Sequence, residues 1–432
     1  MTDRLRIAVA GLGTVGAGLV RLLQENGGQL ARKCGHSIDI VAVSARDRAR
    51  DRGVALGAYD WYDDPVAMAR EADVDAVVEL IGGAEGAARE TCEAALAAGR
   101  HLVTANKALI AHRGLALAKA AESAGVVLAY EAAVAGGIPI IKALREGLAG
   151  NAIGGLYGIL NGTCNYILTN MRVSGREFAD VLDEAQELGY AEADPTFDVD
   201  GIDTAHKLAI LTSVAFGCEI NFDDIAVEGI RRVSALDIKF AEELGYRIKM
   251  LGIARRTADG VEQRVHPCMV DLDSPIAHVE GVYNAVVAQG DFIGSTVYEG
   301  RGAGAGPTAS AVAADLVDIA RGSRVPTFSV PVDALAAIPT VPMDRHVGAY
   351  YIRLMVVDRP GVFADIAATL RDEHVSMESI LQHTRAPGEP VPVVMTTHEV
   401  EEASMMRAVE RFAAFDTVVE PPCLIRIEPL AL

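Results

Sequence analysis

The chain has 432 residues, half of them hydrophobic, with 39 basic against 59 acidic residues and a net charge of −20. At roughly 150 residues per domain this length implies about three domains, each large enough to bury a core without disulfides or a structural metal. The acidic balance excludes nucleic acid and anionic membrane as principal partners, because both require a basic face.

Mean hydropathy is +0.23, yet the longest uncharged stretch, residues 147–171, contains six Gly and four Asn. A membrane-spanning helix needs a near-continuous apolar run of about 20 residues, so a globular interior is expected. The N-terminus, MTDRLRIAVAG, lacks the apolar core of a signal peptide, and no fused kinase is expected before the first strand. Cys34, Cys92, Cys164, Cys218, Cys268 and Cys423 form no C-x-x-C pair. That usage fits a cytoplasmic protein and speaks against a zinc site or disulfide framework.

In chain order, short apolar runs at 7–10, 38–43, 76–80, 101–104 and 126–130 read as strands. Helices at 15–24, 91–98 and 115–124 alternate with them. That alternation predicts a parallel, doubly wound sheet. From about 135 to 307 longer helices (177–188, 204–216) precede β-rich segments at 261–270 and 285–288, which predicts an α+β domain. A helix at 308–321 reads as returning to the first domain. Residues 326–348, with Pro326, Pro331, Pro339 and Pro342, read as a linker. A β-α-β-β-α-β pattern follows. The domains expected are 1–134 with 308–325, then 135–307, then 349–432 after the linker.

Gly11-Leu-Gly13-Thr14-Val15-Gly16 follows the first strand and opens a helix. In that context the pattern is a dinucleotide fingerprint. Gly11 makes the tight turn, Gly13 admits a pyrophosphate, and Gly16 lets helix pack on strand, while Thr14 and Val15 supply free N–H groups at the helix start. The second strand ends in Ser44-Ala45-Arg46-Asp47, with no acid at its tip to hold a ribose 2′-hydroxyl. Ser44 and Arg46 suit a 2′-phosphate, which favours NADP, although Asp47 keeps NAD open. Arg48, Arg50 and Arg52 read as a solvated face.

Eight carboxylates lie between Asp183 and Asp203, with no Lys or Arg until Lys207. Asp183, Glu184 and Glu187 read as a solvated helix face. Gly189, Pro195 and Gly201 force turns that bring Glu192, Asp198 and Asp203 towards one locus. Asp203 and Lys207, four apart, share a helix face. A lysine on an apolar helix with carboxylates nearby suits general acid/base work on a substrate hydroxyl, and the carboxylates suit a substrate ammonium.

The segment Ala185-Gln-Glu-Leu-Gly189-Tyr-Ala-Glu192-Ala-Asp194-Pro195-Thr-Phe-Asp198-Val-Asp-Gly201-Ile-Asp203-Thr-Ala-His-Lys207 closely resembles the signature of the homoserine dehydrogenases. Gly158-Ile-Leu-Asn161-Gly162-Thr163-Cys164-Asn165, Thr104-Ala-Asn106-Lys107 and Gly302-Ala-Gly304-Ala-Gly306 are similar to further family motifs, with Cys164 where Thr is commoner. The resemblance implies an enzyme that interconverts L-homoserine and L-aspartate 4-semialdehyde with a nicotinamide cofactor, in threonine, methionine and isoleucine biosynthesis. It implies that Lys207 is the general acid/base with Asp203 as its partner, and that Lys107 lies between nicotinamide and substrate. The choice between the two lysines for the proton stays open. Glu192 and Asp198 then match substrate-binding carboxylates, and Gly83, Thr104 and Gly304 match cofactor contacts. Glu131, Val134, Gly136 and Ile138 match a loop for a monovalent cation such as Na+. The last ~84 residues resemble an ACT domain, through Asp358-Arg-Pro360-Gly361-Val362-Phe363. This implies feedback by an amino acid, threonine first, and a homodimer or homotetramer. Two other readings compete: a thiol-dependent aldehyde dehydrogenase using Cys164, which lacks a nearby His, and a non-enzymatic sensor, which needs no proton shuttle.

Overall fold

The structure, a computed structural model, describes residues 4–383 and 388–430. It divides into two compact units: residues 1–160, 205–225 and 283–338, and residues 161–204, 226–282 and 339–432.

The first unit is built on six parallel strands: β1 (Arg4–Ala10), β2 (Ser37–Ser44), β3 (Asp60–Tyr62), β4 (Ala76–Glu79), β5 (His101–Thr104) and β6 (Leu128–Ala129). Their order is β3-β2-β1-β4-β5-β6, the doubly wound arrangement in which ligands sit at the carboxyl ends of the strands where the order reverses. Ile7, Val9, Ala76, Val78 and Val103 are fully buried, as the near-continuous apolar runs of a two-faced parallel sheet require. The three-residue β3 has no counterpart among the predicted strands.

Helix α1 (Thr14–Cys34) runs ten residues past its expected end, through Gly27 and Gly28. Packing overrides local propensity here. Leu19, Val20 and Leu23 are buried in the same cluster as Val312 and Leu316 of the helix Ala305–Ala320. A Cβ on Gly18 would stand 2.8 Å from the Ala305 carbonyl oxygen. Helices α2 (Pro65–Glu71), α3 (Ala87–Ala97) and α4 (Lys107–Ala124) complete the layers. Helix α4 starts eight residues before its predicted start because Asn106 caps it, Oδ1 accepting from Leu109 N–H at 3.1 Å. The strands Ile153–Ile159, Tyr283–Gly290 and Gly294–Arg301 form an antiparallel group in this unit.

In the second unit, strands run in the order Tyr246–Arg256, Val261–Asp271, Cys423–Glu428, Val347–Val357, Pro390–Thr397, Met377–Leu381. The last four, with helices Val362–Asp372 and Glu402–Ala413, make the β-α-β-β-α-β module. Tyr350, Ile352, Leu354 and Val356 face its core and Phe412 fills it. The intervening Tyr351 and Arg353 reach Asp237, Tyr351 Oη donating at 3.0 Å and Arg353 Nε at 2.6 Å.

The module's strand Cys423–Glu428 pairs in parallel with Val261–Asp271, so one sheet runs from the module into the rest of the unit. Arg264 bridges that seam, donating to both oxygens of Glu428 at 3.0 Å. Beside it His266 and Cys268 bring donor atoms within 4.8 Å of the same carboxylate. Burial pushes the Cys268 thiol well up and the His266 imidazole well down. The trio is thus a neutral pair beside an ion pair.

Residues 326–348 do not hang free. In the first unit Phe328 is fully buried and Ala336 bridges Cys218. In the second, Thr340 bridges Val261 and Val261 N–H donates to Pro339. Proline removes donors but leaves carbonyls free to accept, so this stretch is fastened down by its acceptors. No helix among the described residues is long and apolar enough to cross a membrane.

Candidate active site

The glycine loop obeys steric rules that differ at each position. Gly11 has φ +97°, and a Cβ there would lie 2.6 Å from the Leu80 carbonyl oxygen at the end of β4. A Cβ on Gly16 would lie 2.0 Å from the Gly11 carbonyl oxygen, whereas one on Gly13 would meet nothing within 4 Å. Gly11 and Gly16 are therefore required by the fold, and Gly13 by whatever approaches the loop. Thr14 and Val15 open α1, which has no side-chain cap and no acid in its first turn, so its N–H groups and positive dipole end face outward. Ser44 closes the loop from β2, its carbonyl accepting from Gly11 N–H at 2.9 Å. Its hydroxyl is buried without a hydrogen-bond partner among the described residues. Arg46 and Asp47 are exposed on the following loop.

At the ends of β4 and β5 the organising residue is Glu79, which sequence reasoning missed. It is fully buried. One carboxylate oxygen accepts from Ile81 and Gly82 N–H at 2.7 and 3.0 Å, the other from the Thr104 hydroxyl at 2.6 Å. Thr104 Oγ1 in turn accepts from Asn106 N–H, and Asn106 Nδ2 donates to the Gly83 carbonyl at 2.7 Å. Thr104 is itself fully buried. This chain of hydrogen bonds fixes the two strand ends and sets Lys107 at the first position of α4.

Glu131 caps the short helix that begins at Ile140, accepting from Ile141 and Lys142 N–H, both at 2.9 Å. Its own N–H donates to Asp315. Burial, reinforced by Asp315, pushes the Glu131 carboxyl up to about 7, and burial pushes Asp315 up to about 6 against the pull of Lys142. Between them Ala135 and Gly136 both take left-handed φ values of +53° and +37°. This turn, which carries Val134, Gly136 and Ile138, packs on the Gly302–Gly304 loop: a Cβ on Gly136 would meet the Gly302 carbonyl oxygen at 2.5 Å. Gly304, φ +119°, then opens the helix Ala305–Ala320.

Helix Ile202–Phe216 carries Asp203 and Lys207 one turn apart. In the first unit Lys207 is buried and its Nζ donates to the Leu160 carbonyl at 2.6 Å. In the second unit Asn161 gathers two carboxylates, its amide donating to Asp198 Oδ1 and Asp203 Oδ2, each at 2.8 Å. Asn161 Oδ1 caps the helix Gly162–Ser174 by accepting from Cys164 N–H. Thr163 donates to the Tyr190 carbonyl at 2.7 Å. The Cys164 thiol, fully buried, donates to the Asp198 carbonyl at 3.3 Å. Glu192 stands on an exposed loop pinned by Gln186, whose amide donates to the Glu192 carbonyl. Asp198 and Asp203 thus share Asn161 as a hydrogen-bond partner, whereas Glu192, expected at the same locus, stands on the exposed loop.

Three family matches run along the chain: "Homoserine dehydrogenase, NAD binding domain" over residues 11–131, "Homoserine dehydrogenase" over 139–317 and "ACT domain" over 350–414. The homoserine dehydrogenase of Pseudomonas aeruginosa is 46% identical across 99% of both chains, and that of Neisseria gonorrhoeae 45% identical across 99% of both. The chain belongs to the homoserine dehydrogenase family.

The crystal structure of a homoserine dehydrogenase from Thiobacillus denitrificans superposes with a TM-score of 0.93, at 46% identity, covering 99% of each chain. A hyperthermophilic archaeal homoserine dehydrogenase in complex with NADPH matches 74% of this chain and 99% of its own, with a TM-score of 0.64 and 28% identity. As a homoserine dehydrogenase, this protein is an NAD(P)-dependent oxidoreductase acting on a CH–OH group. The open space at Gly13 and the uncapped start of α1 fit the dinucleotide. The roles of three residues were not evident from the sequence, for different reasons. Glu79 interrupts the apolar run 76–81 and looks like a residue turned to solvent. Asn161 and Asn106 each precede a helix, a capping signal legible in principle.

Proposed function

We propose that this homoserine dehydrogenase uses Lys207 as the general acid/base for the homoserine hydroxyl, with Asp203 beside it on the same helix. The bound nicotinamide supplies the acceptor for the hydride that leaves the hydroxyl carbon. Lys207 takes the hydroxyl proton in that direction and returns one to the aldehyde oxygen in the other. The observation that carries this role is the anchoring of Lys207: buried, with its Nζ held by the Leu160 carbonyl at 2.6 Å. Such an amine is fixed in place before substrate arrives, and fixed geometry supplies much of the acceleration. Lys107, placed by the Glu79–Thr104–Asn106 chain, positions substrate against the cofactor. Asp198 and Glu192 bind the substrate's polar groups, Glu192 taking the α-ammonium.

Gly11, Gly13, Thr14, Val15 and Gly16 hold the pyrophosphate, with Gly83, Thr104 and Gly304 framing the nicotinamide end. The absence of an acid at the tip of β2, with Arg46 exposed there, favours NADP. A monovalent cation such as Na+ fits the Glu131 loop, where a buried carboxylate with a raised proton affinity lies beside a left-handed turn carrying Val134, Gly136 and Ile138. At the module the Asp358–Phe363 turn and Gln382 line a cavity of about 280 Å³, in reach of a free amino acid such as threonine. Edge strand Gly294–Arg301 and the exposed Phe292 and Ile293 favour a homodimer or homotetramer, and six unbridged cysteines suit a reducing cytoplasm.

The test is NADPH and NADH consumption with L-aspartate 4-semialdehyde, with and without threonine. Faster turnover with NADPH, lowered by threonine, is expected. Turnover with NADH alone would remove the NADP assignment, and indifference to threonine would remove that effector.

A further inference from the structure

The chain has one tryptophan, Trp61, which lies outside the residues assigned to the reaction. Trp61 sits in β3, paired with Val43 of β2, and its indole N–H donates to Asp63 at 2.9 Å. Two guanidinium groups, Arg48 and Arg52, lie over the ring, each 5.7 Å from its centroid. The two arginines differ in what else they do. Arg48 is exposed, as is Arg46. Arg52 is half-buried and donates to three backbone carbonyls: Leu12 at 3.1 Å, Arg50 at 2.7 Å and Asp47 at 2.5 Å.

Leu12 lies inside the glycine loop, between Gly11 and Gly13. Asp47 and Arg50 belong to the loop that leaves β2. One planar guanidinium therefore joins both segments, and Trp61 holds it from the side. A lysine ammonium lacks the planar fork to meet three carbonyls in fixed directions.

We propose that Arg52 is a positioning residue for the cofactor: it ties the glycine loop to the loop that carries Arg46 and Arg48. The proposal rests on the dinucleotide reading above. The tie sets where Gly13 and the α1 N–H groups stand relative to the two exposed guanidinium groups, so pyrophosphate and a 2′-phosphate are met together. Cutting it loosens both contacts and leaves the groups that handle the hydroxyl untouched.

The experiment compares wild type, Arg52→Met and Arg52→Lys in the full chain. It reads kcat, the KM for homoserine, NADP and NAD, and Trp61 emission during titration with NADP or adenosine 2′-monophosphate. In both variants the KM for NADP is expected to rise about tenfold, as loss of one or two net hydrogen bonds implies. The KM for NAD rises less, and kcat and the homoserine KM stay within about twofold. The emission of the resting Arg52→Met enzyme differs from wild type, and its response to the 2′-phosphate is reduced. Nucleotide KM values that stay at wild-type level, or full rescue by lysine, would overturn the tie. So would a fall in kcat with unchanged nucleotide KM. A wild-type protein whose emission and KM ignore the 2′-phosphate would instead overturn the NADP reading, and the tie would then be judged on the KM for NAD.

Discussion

Asn161 offers the sharpest test of how the carboxylates of the second unit are held. Its amide donates 2.8 Å bonds to Asp198 and Asp203, and its carbonyl oxygen caps a helix. Replacing it by aspartate keeps the size and the cap acceptor but turns both donations into repulsions. Three carboxylates then crowd a site where Asp203 is only 3% exposed. At an effective dielectric of about 20, each new contact near 3 Å costs about 5 kcal/mol. The cluster relieves this by holding an extra proton, which limits the cost to about 6 kcal/mol at pH 8. The folded variant then binds more protons than its unfolded chain, so its stability falls as pH rises and recovers as pH falls. At ~1.4 kcal/mol per proton per pH unit, about 3 kcal/mol returns between pH 8 and pH 5.5. Asn161→Ala loses the cap and both donors, about 3 kcal/mol in all, with little dependence on pH over that range. Scanning calorimetry at both pH values reads the difference. At about 2–4 °C per kcal/mol, Asn161→Asp should melt about 15 °C below wild type at pH 8 and close about half of that gap at pH 5.5. Parallel deficits for the two variants at both pH values would refute the reasoning.

Three further outcomes follow from the glycine loop and from Asp237. Gly13→Ala should fold like wild type, since nothing lies within 4 Å of the added carbon, and raise the cofactor KM at least about tenfold by crowding the pyrophosphate. Gly16→Ala should instead lower the melting temperature, because its carbon would stand 2.0 Å from the Gly11 oxygen. For Asp237, burial raises the carboxyl but the Arg353 hydrogen bonds prevail and hold it below its ordinary range. Its contribution is therefore present above the unfolded carboxylate pKa and lost as pH falls through the lower folded value. Acid titration of Asp237→Asn should show that loss already in place at neutral pH, at about 3 kcal/mol for the stranded Arg353. Retained wild-type stability at pH 7 would contradict it.

What the sequence revealed and what it hid follow from where each constraint originates. Gly11 and Gly16 were legible because a positive φ and a close backbone approach admit no other residue, so the loop announces itself. That Asp203 and Lys207 share one helix was legible because their spacing is a helix repeat. Glu79 was not, since a buried carboxylate at a strand end looks like any charged residue until its three donors are seen. Arg52 read as part of a solvated arginine run, and its link to the Leu12 carbonyl, forty residues away, is one that no local pattern encodes. The same holds for β3, too short to show a period, and for the proline-rich stretch, whose order comes from partners at Cys218 and Val261. Asn161 is the intermediate case. Its capping place was visible before a helix, but its grip on two carboxylates required their folding into one locus.

The assignment of the proton transfer to Lys207 decides the mechanism. It is tested most directly by homoserine oxidation in Lys207→Met, with nucleotide binding followed by Trp61 emission in the same protein. In that variant kcat is expected to fall by at least about 10³, within the range of a lost general acid/base, while the affinity for NADP stays at the wild-type value. Turnover within tenfold of wild type would contradict it and move the role to Lys107.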